Sequence, residues 1–397
     1  MPGFEWFGDE ERKEVQDVLE TGVLFRYGFD QARKGHWKAR AFEEELTKRL
    51  GSRHAHLCSS GTSALSIALA ACGVGAGDEV ILPPFTFVAS IEALLTAGAI
   101  PVFAEIDETL CLDPRAVYAA ITPRTRAVMP VHMCGAMARI DALKAICDEK
   151  NLVLIEDACQ SLGASHKGKY AGTFGHAGCF SFDPVKTVTC GEGGAVITSD
   201  QKIYFQAQAY ADHGHDHIGP DRGLEEHPFL GMNYRISEMN AAVGLAQLRK
   251  LDAILETQRA HKRILKQALG QHPQVTFRVI PDEAGDSATF LSFFLEDADQ
   301  ARRIARGLSA AGMDGCFYWY DNNWHYFRKW DHFKQMKSVS GLPFHLQKAC
   351  PDYSRVLLPQ SDRIMSRTLS LQIKLSWTPE ALEKRIEIIE KVMKNDK

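Results

Sequence analysis

A lysine stands between an apolar run and a glycine-rich turn in Phe180-Ser-Phe-Asp-Pro-Val-Lys186-Thr-Val-Thr-Cys-Gly191-Glu-Gly-Gly194, and the strand-like Ala-Val-Ile-Thr198 follows. A solvated lysine needs no such setting. Desolvation disfavours the charged amine and makes it a nucleophile toward a carbonyl. The glycines let backbone approach a flat ligand closely. Glycine turns are common, so this stretch gains meaning from two others. Asn151-Leu-Val-Leu-Ile-Glu-Asp157 reads as a buried strand that ends in a carboxylate. Ligands of open α/β sheets sit beyond the carboxyl ends of strands, although Asp157 could equally be a plain helix cap. Ser60-Gly61-Thr62-Ser63 opens an apolar helix. Its free N–H groups and positive dipole end suit a phosphate, and simple capping is again the alternative. An amine nucleophile, a carboxylate for a ring nitrogen and a phosphate cradle are together the parts that hold pyridoxal phosphate.

The elements that must position these groups alternate. Strands are expected at Glu79–Pro83, Pro101–Ile106, Arg126–Val131 and Leu152–Ile155, with helices at Ser60–Cys72, Val88–Ala97 and Asp141–Lys150 between them. Such alternation predicts an α/β fold with a mostly parallel central sheet and helices on both faces. The strand ends at Pro84–Phe87, His132 and Asp157 should then face one cleft. Amphipathic helices are expected over Asp9–Glu20 and Trp37–Leu50, with Gly51 as the stop. Gly73-Val-Gly75-Ala-Gly77 precedes a strand where a dinucleotide fingerprint would follow one, so it is a helix-to-strand turn. A long helix from Ile236 to Leu251 leads to a smaller C-terminal part. That part is expected to hold strands near Gln274–Arg278 and Ala288–Leu295, a helix at Ala298–Ala311, a strand at Thr368–Ser376 and a closing helix at Thr378–Lys394. The predicted division is a large domain over residues 1–250 and a smaller α/β domain over 251–397.

Composition excludes several classes. The chain has 397 residues, 45% hydrophobic and 24% charged, with a formal net charge of −4. That balance suits a globular enzyme and argues against a nucleic-acid or membrane-surface partner. The ten cysteines, Cys350 among them, form no Cys-x-x-Cys pair, which fits reduced thiols better than disulfides or zinc. Met1-Pro-Gly-Phe-Glu-Trp has no basic start or apolar stretch, and no run approaches a membrane span. A cytoplasmic location is therefore expected.

Phe42-Glu-Glu-Glu-Leu46, Ser60-Gly-Thr-Ser-Ala-Leu, Pro84-Phe-Thr-Phe-Val-Ala-Ser90, Glu156-Asp-Ala-Cys-Gln160, Gly191-Glu-Gly-Gly194 and Asn233-Tyr-Arg-Ile-Ser237 occur in that order. With them the chain resembles the DegT-type sugar aminotransferases, within the fold-type I pyridoxal-phosphate enzymes. The resemblance implies a large cofactor domain plus a smaller C-terminal α/β domain. It gives Lys186 the covalent contact to the cofactor and Asp157 the pyridine nitrogen. It assigns Gln160 to the phenolic oxygen, Phe87 to the ring face, and Thr62, Ser63 and Ser181 to the phosphate. Asn233 should reach the phosphate in a neighbouring subunit, which implies a homodimer with shared sites.

Phe25-Arg-Tyr, Ala211-Asp-His-Gly-His-Asp-His217, Gly315-Cys-Phe-Tyr-Trp-Tyr320 and Lys374-Leu-Ser-Trp377 resemble the branch that aminates a free sugar acid. The implied reaction moves the amino group of L-glutamate to the C8 aldehyde of 8-oxo-3-deoxy-octulosonate, for lipopolysaccharide. A nucleotide-linked keto sugar is the alternative substrate. A sugar dehydratase is disfavoured because that branch has histidine where Lys186 stands. One arginine can hold a carboxylate bidentately; Arg26 is the first expectation, with Arg222 and Arg235 behind it. The closely spaced His213, His215 and His217 match no recognised ligand pattern, and no metal is expected. The aromatic run Phe317–Phe333 suits either the core of the small domain or the mouth of the substrate site.

Overall fold

The computed structural model describes residues 3–219, 222–340 and 351–396; Met1, Pro2 and Cys350 lie outside them. Two helices, α1 (Asp9–Thr21) and α2 (Lys38–Leu50), precede the first strand. The chain then runs through β1 (His54–Cys58), α3 (Gly61–Ala71), β2 (Glu79–Leu82), α4 (Ala89–Thr96), β3 (Ile100–Phe103), α5 (Pro114–Ala120) and β4 (Thr125–Val128). It continues with α6 (Ile140–Lys150), β5 (Val153–Asp157), the hairpin β6 (Ser165–His166) and β7 (Lys169–Tyr170), then β8 (Ala177–Ser181), β9 (Gly194–Thr198) and α7 (Gln201–Ala211). Seven of these strands form one sheet in the order β1-β9-β8-β5-β4-β2-β3. β9 is antiparallel to both of its neighbours, and the other pairings are parallel. Strands β2, β5 and β9 are buried along their whole length, as expected for apolar runs covered on both faces.

Helix α8 (Glu238–Arg249) meets α9 (Leu251–Leu269) at Lys250. Beyond it come β10 (Thr276–Phe277), β11 (Phe290–Phe294), α10 (Ala298–Ala310), β12 (Cys316–Tyr318), α11 (Asp331–Lys334), α12 (Pro359–Met365), β13 (Thr368–Gln372) and α13 (Pro379–Asn395). Their four strands make an antiparallel sheet, β10-β11-β13-β12. Helices α9, α10 and α13 cover it, with Leu265, Ile304 and Ile389 in the shared core.

The aromatic run divides. Phe317 and Trp319 stack at 4.7 Å beside Phe290. Phe327, Trp330 and Phe333 leave the small sheet and join the core that holds Leu82 of the large sheet and Leu94 of α4. Phe327 lies 4.4 Å from the ring of Phe103. Backbone bonds anchor this return: Thr86 N donates to His325 O, and Phe327 N donates to Pro84 O. The run is therefore a bridge between the two sheets, because Phe103 at the end of β3 offers an apolar surface that the small sheet does not cover. Helices α5, α7 and α12 and the β6–β7 hairpin are further elements, each short or weakly periodic in sequence. Asp113 and Asp200 cap α5 and α7 with their carboxylates. The nine cysteines among the described residues are free thiols. No helix among those residues is long and apolar enough to cross a membrane.

Candidate active site

A cleft of about 450 Å³ opens between the carboxyl ends of the large sheet and the small sheet. Thr62, Phe87, Asp157, Gln160, Ser181 and Lys186 all line it. These residues come from five separate places in the chain. The crossovers of a parallel sheet return every strand end to the same side, so the ends of β2, β5 and β8 converge there.

Each side chain is held by local structure. Asp157 closes β5 with its Oδ2 accepting from Ser90 Oγ at 2.8 Å and its Oδ1 from Cys159 N at 3.1 Å. Ser90 Oγ is in turn 2.6 Å from Thr86 Oγ1. Behind Asp157, the buried Glu156 carboxylate takes three backbone N–H groups, from Gly172, Phe174 and Gly175, and meets His132 Nε2 at 3.0 Å. Gln160 Oε1 accepts from Cys134 N at 3.3 Å. Lys186 sits in a turn in which its N–H donates to Asp183 O, while its own carbonyl accepts from Gly3 N at 3.0 Å. Burial and the nearby Asp157 push the Cys159 thiol well up, which leaves it unsuited as a nucleophile.

The α3 start is built for close approach. A Cβ on Gly61 would lie 2.7 Å from Ser181 Cβ, and one on Gly194 would lie 2.2 Å from Ser60 O. Both positions therefore require glycine. Thr62 and Ser181 flank this helix start, whose first N–H groups have no intrahelical acceptor. Ser63 does not line the cleft. Its Oγ accepts from Ser60 N at 2.8 Å, while Ser63 N donates to Ser60 Oγ. Its hydroxyl takes part in a reciprocal cap with Ser60, unlike that of Thr62, which faces the cleft.

The wall opposite comes from the small sheet and the bridge: Phe290, Phe317, Trp319, His325 and Gln372. Trp324 stacks on Phe87 at 5.6 Å with the rings 7° from parallel. Asn322 Oδ1 accepts from Trp324 N and therefore also accepts from His325 Nδ1. Burial, and after it the Lys186 charge, push His325 down to about 4, so it is neutral at pH 7 with Nε2 free of a proton. No local signal in sequence points to Gln372 or Phe290, since each joins the cleft only by long-range packing.

The expected arginines are elsewhere. Arg26 is 7% exposed. It donates to Leu57 O at 2.8 Å and to Glu43 Oε1 at 2.7 Å, and Glu43 Oε1 also accepts from Leu57 N. Arg26 thus does not line the cleft of its own chain, and its fork braces β1 against α2. Arg222 and Arg235 both donate to the buried Asp212 carboxylate, at 2.8 and 2.5 Å. Burial raises the Asp212 pKa, but these two bonds outweigh it and hold the group below the usual carboxylate range. Neither arginine lines the cleft of its own chain. Asn233 lies exposed in the same 212–235 segment, away from that cleft. His217 stacks on Tyr27 at 4.7 Å and His215 faces Glu225 at 2.8 Å. Among the described residues no cluster of histidine, cysteine and carboxylate side chains is placed to hold a metal ion.

The donor set fits pyridoxal phosphate. A carboxylate, an amide, an aromatic face, an amine and a helix start with two hydroxyls surround one flat space, and close packing leaves no room for side chains at Gly61 and Gly194.

The comparisons agree with this geometry. The model of the DegT/DnrJ/EryC1/StrS aminotransferase family matches residues 7–391. An L-glutamine:2-deoxy-scyllo-inosose aminotransferase of Micromonospora echinospora is 43% identical over 228 residues, 55% of this chain and 54% of that protein. The match thus spans about half the length of that relative. The GDP-perosamine synthase of Vibrio cholerae is 34% identical over 316 residues, 79% of each chain. The crystal structure of a 3-amino-5-hydroxybenzoic acid synthase superposes with a TM-score of 0.81 at 31% identity, covering 97% of this chain and 96% of the other.

Proposed function

The chain belongs to the DegT/DnrJ/EryC1/StrS aminotransferase family, whose cofactor is pyridoxal phosphate, and from that premise we propose that it aminates a free sugar acid. The reaction moves the amino group of L-glutamate to the C8 aldehyde of 8-oxo-3-deoxy-D-manno-octulosonate, giving 8-amino-3,8-dideoxy-octulosonate for lipopolysaccharide. The observation that carries this reading is the charge of the cleft. Among the described residues its lining contains a single cation, Lys186, beside Asp157, Asp183 and Glu192, and an aromatic wall opposite. A diphosphate needs several cations or N–H donors, and the α3 start would be taken by the cofactor phosphate. A sugar acid that reacts at its far end brings only an aldehyde and hydroxyls into the cleft and leaves its carboxylate at the mouth. The aromatic wall suits the C–H face of such a chain, and neutral His325 offers Nε2 to a hydroxyl.

Bound pyridoxal phosphate supplies an electron sink that lets the C–H bond beside the transferred nitrogen break. Asp157 would keep the pyridine nitrogen protonated, Gln160 would donate to the phenolic oxygen, and Phe87, backed by Trp324, would cover the ring. Thr62, Ser181 and the α3 start would hold the phosphate. Lys186 Nζ would bind the cofactor's aldehyde carbon at rest and, once displaced there by the donor's amine, would carry the proton between the donor Cα and that carbon. The apolar wall would keep water away from these transfers.

The same proposal includes the division at 250/251, a cytoplasmic location and a homodimer. Exposed Asn233 would complete the phosphate site of the neighbouring subunit, with Arg222 and Arg235 beside it near the substrate carboxylate. A mixed dimer of Lys186→Ala and Asn233→Ala subunits is expected to keep about half of wild-type activity, since one site then carries both defects and the other neither. Activity no higher than in the parent variants would place Asn233 in its own subunit's site.

The substrate reading is tested by mixing protein, pyridoxal phosphate and glutamate with oxidised sugars and weighing the products. Amination of the eight-carbon sugar acid supports the reading. Amination of nucleotide-linked keto sugars with the sugar acid untouched overturns it.

A further inference from the structure

Gln160 is aimed by a turn that the small sheet holds. The turn is Met133–Gly135, and both Cys134 at φ 55° and Gly135 at φ 83° are left-handed. A non-glycine residue adopts that conformation only where its surroundings enforce it. On the outer side, Arg278 follows β10 and is 5% exposed. Its Nη1 donates to Met133 O at 2.7 Å, its Nε to Thr109 O at 2.6 Å, and its Nη2 faces Cys111 Sγ at 3.4 Å. No carboxylate among the described residues pairs with it. A buried guanidinium satisfied by carbonyls is costly, which marks the contact as one with a purpose. Ser287, ahead of β11, adds two bonds, from its N and its Oγ to Gly135 O at 3.0 and 2.9 Å. A Cβ on Gly135 would sit 2.4 Å from Thr289 Oγ1, so the turn and the small sheet touch without slack.

On the inner side the same turn presents Cys134 N to Gln160. A backbone N–H only donates, so the atom it meets is Oε1. The Gln160 NH2 is thereby turned the other way, into the cleft. We infer that Arg278 and Ser287 are positioning residues for Gln160: by holding the Met133–Gly135 turn, they keep the Gln160 NH2 aimed at the phenolic oxygen of the cofactor. Neither residue touches cofactor or substrate. The small sheet therefore bears on the cofactor through its own wall and also through this turn. The inference rests on the reading of Gln160 given above.

The test reads the visible absorbance of the resting holoenzyme against pH. A donor to an anionic oxygen stabilises the anion, so removing it raises the midpoint of the colour change. Gln160→Ala is expected to raise the midpoint by about one pH unit. Arg278→Met is expected to raise it by roughly half as much or more, with Arg278→Lys restoring part of the loss. Ser287→Ala, which keeps its N–H bond to Gly135, should give a smaller rise and carries the test if Arg278→Met does not fold. In a Gln160→Ala background neither substitution should move the midpoint further, although each should still lower the melting temperature. Equal shifts in both backgrounds overturn the inference, as does an unmoved midpoint in Arg278→Met and Ser287→Ala alongside a shifted Gln160→Ala. An unmoved midpoint in Gln160→Ala itself overturns the reading of Gln160, and the inference with it.

Discussion

A Lys186→Ala protein is expected to fold, to bind pyridoxal phosphate without the absorbance of a lysine-bound cofactor, and to lose turnover by roughly 10⁴-fold or more. Folding should survive because the side chain carries none of the turn's hydrogen bonds. The Lys186 N to Asp183 O bond and the Gly3 N to Lys186 O bond are both main-chain, and alanine keeps them. The side chain is only half-buried, so truncation leaves no sizeable cavity, and stability should change by less than about 1 kcal/mol. The catalytic loss follows from position. Within the cleft the other ionisable side chains are committed or of the wrong kind. Asp157 is held by Ser90 and Cys159, Cys159 is kept protonated, and His325 is anchored through Nδ1 to Asn322. None of them can replace a flexible amine that both binds an aldehyde carbon and carries a proton. The checks are melting temperature, cofactor retention on gel filtration, the visible spectrum and turnover. A variant that transaminates at near wild-type rate would remove Lys186 from the chemistry.

The wall of the cleft that the large sheet forms was legible in sequence because its residues lie at strand ends and turns with local signatures. Asp157 closes a buried five-residue strand, Thr62 opens a helix, and Lys186 precedes glycines that geometry requires. Alternation of strands and helices then predicts that these ends meet. The antiparallel course of β9 was not legible, since Ala-Val-Ile-Thr reads the same in either direction. The opposite wall was only partly legible. The run Phe317–Phe333, which holds Phe317, Trp319 and His325, suits either core or the mouth of the cleft, and Phe290 and Gln372 join it only through packing between two sheets. Arg26 shows the converse: sequence makes it the first expectation for a substrate carboxylate, but Glu43 on α2 draws the guanidinium inward. Ser63 lies next to Thr62, which lines the cleft, yet its hydroxyl closes the helix cap. A partner outside the local stretch decides the role of Arg26, whereas Ser63 is decided by Ser60, three residues before it.

Asp157→Asn should keep the fold and the cofactor while slowing the glutamate half-reaction by roughly 10² to 10³-fold, about 3–4 kcal/mol. The hydrogen bonds around the carboxylate dictate how an amide must sit there. Cys159 N can only donate, so the amide oxygen has to remain at the Oδ1 position. The NH2 then occupies the Oδ2 position, where Ser90 Oγ can turn and accept in place of donating. Its proton can go to Thr86 Oγ1, 2.6 Å away. The rearranged network is satisfied, so stability should fall by no more than about 1 kcal/mol. The same NH2 faces the site of the pyridine nitrogen as a donor. It can bond that nitrogen only when the nitrogen is unprotonated, whereas a carboxylate favours the protonated form. The positive charge that makes the ring an electron sink is thereby lost, and the cost falls on proton removal from the donor Cα. Single-turnover rates with glutamate should fall by the stated factor, and Cα-deuterated glutamate should show a larger isotope effect than in wild type, because proton removal becomes limiting. An unchanged single-turnover rate with an unchanged isotope effect would mean that Asp157 caps β5 and does not act on the cofactor ring.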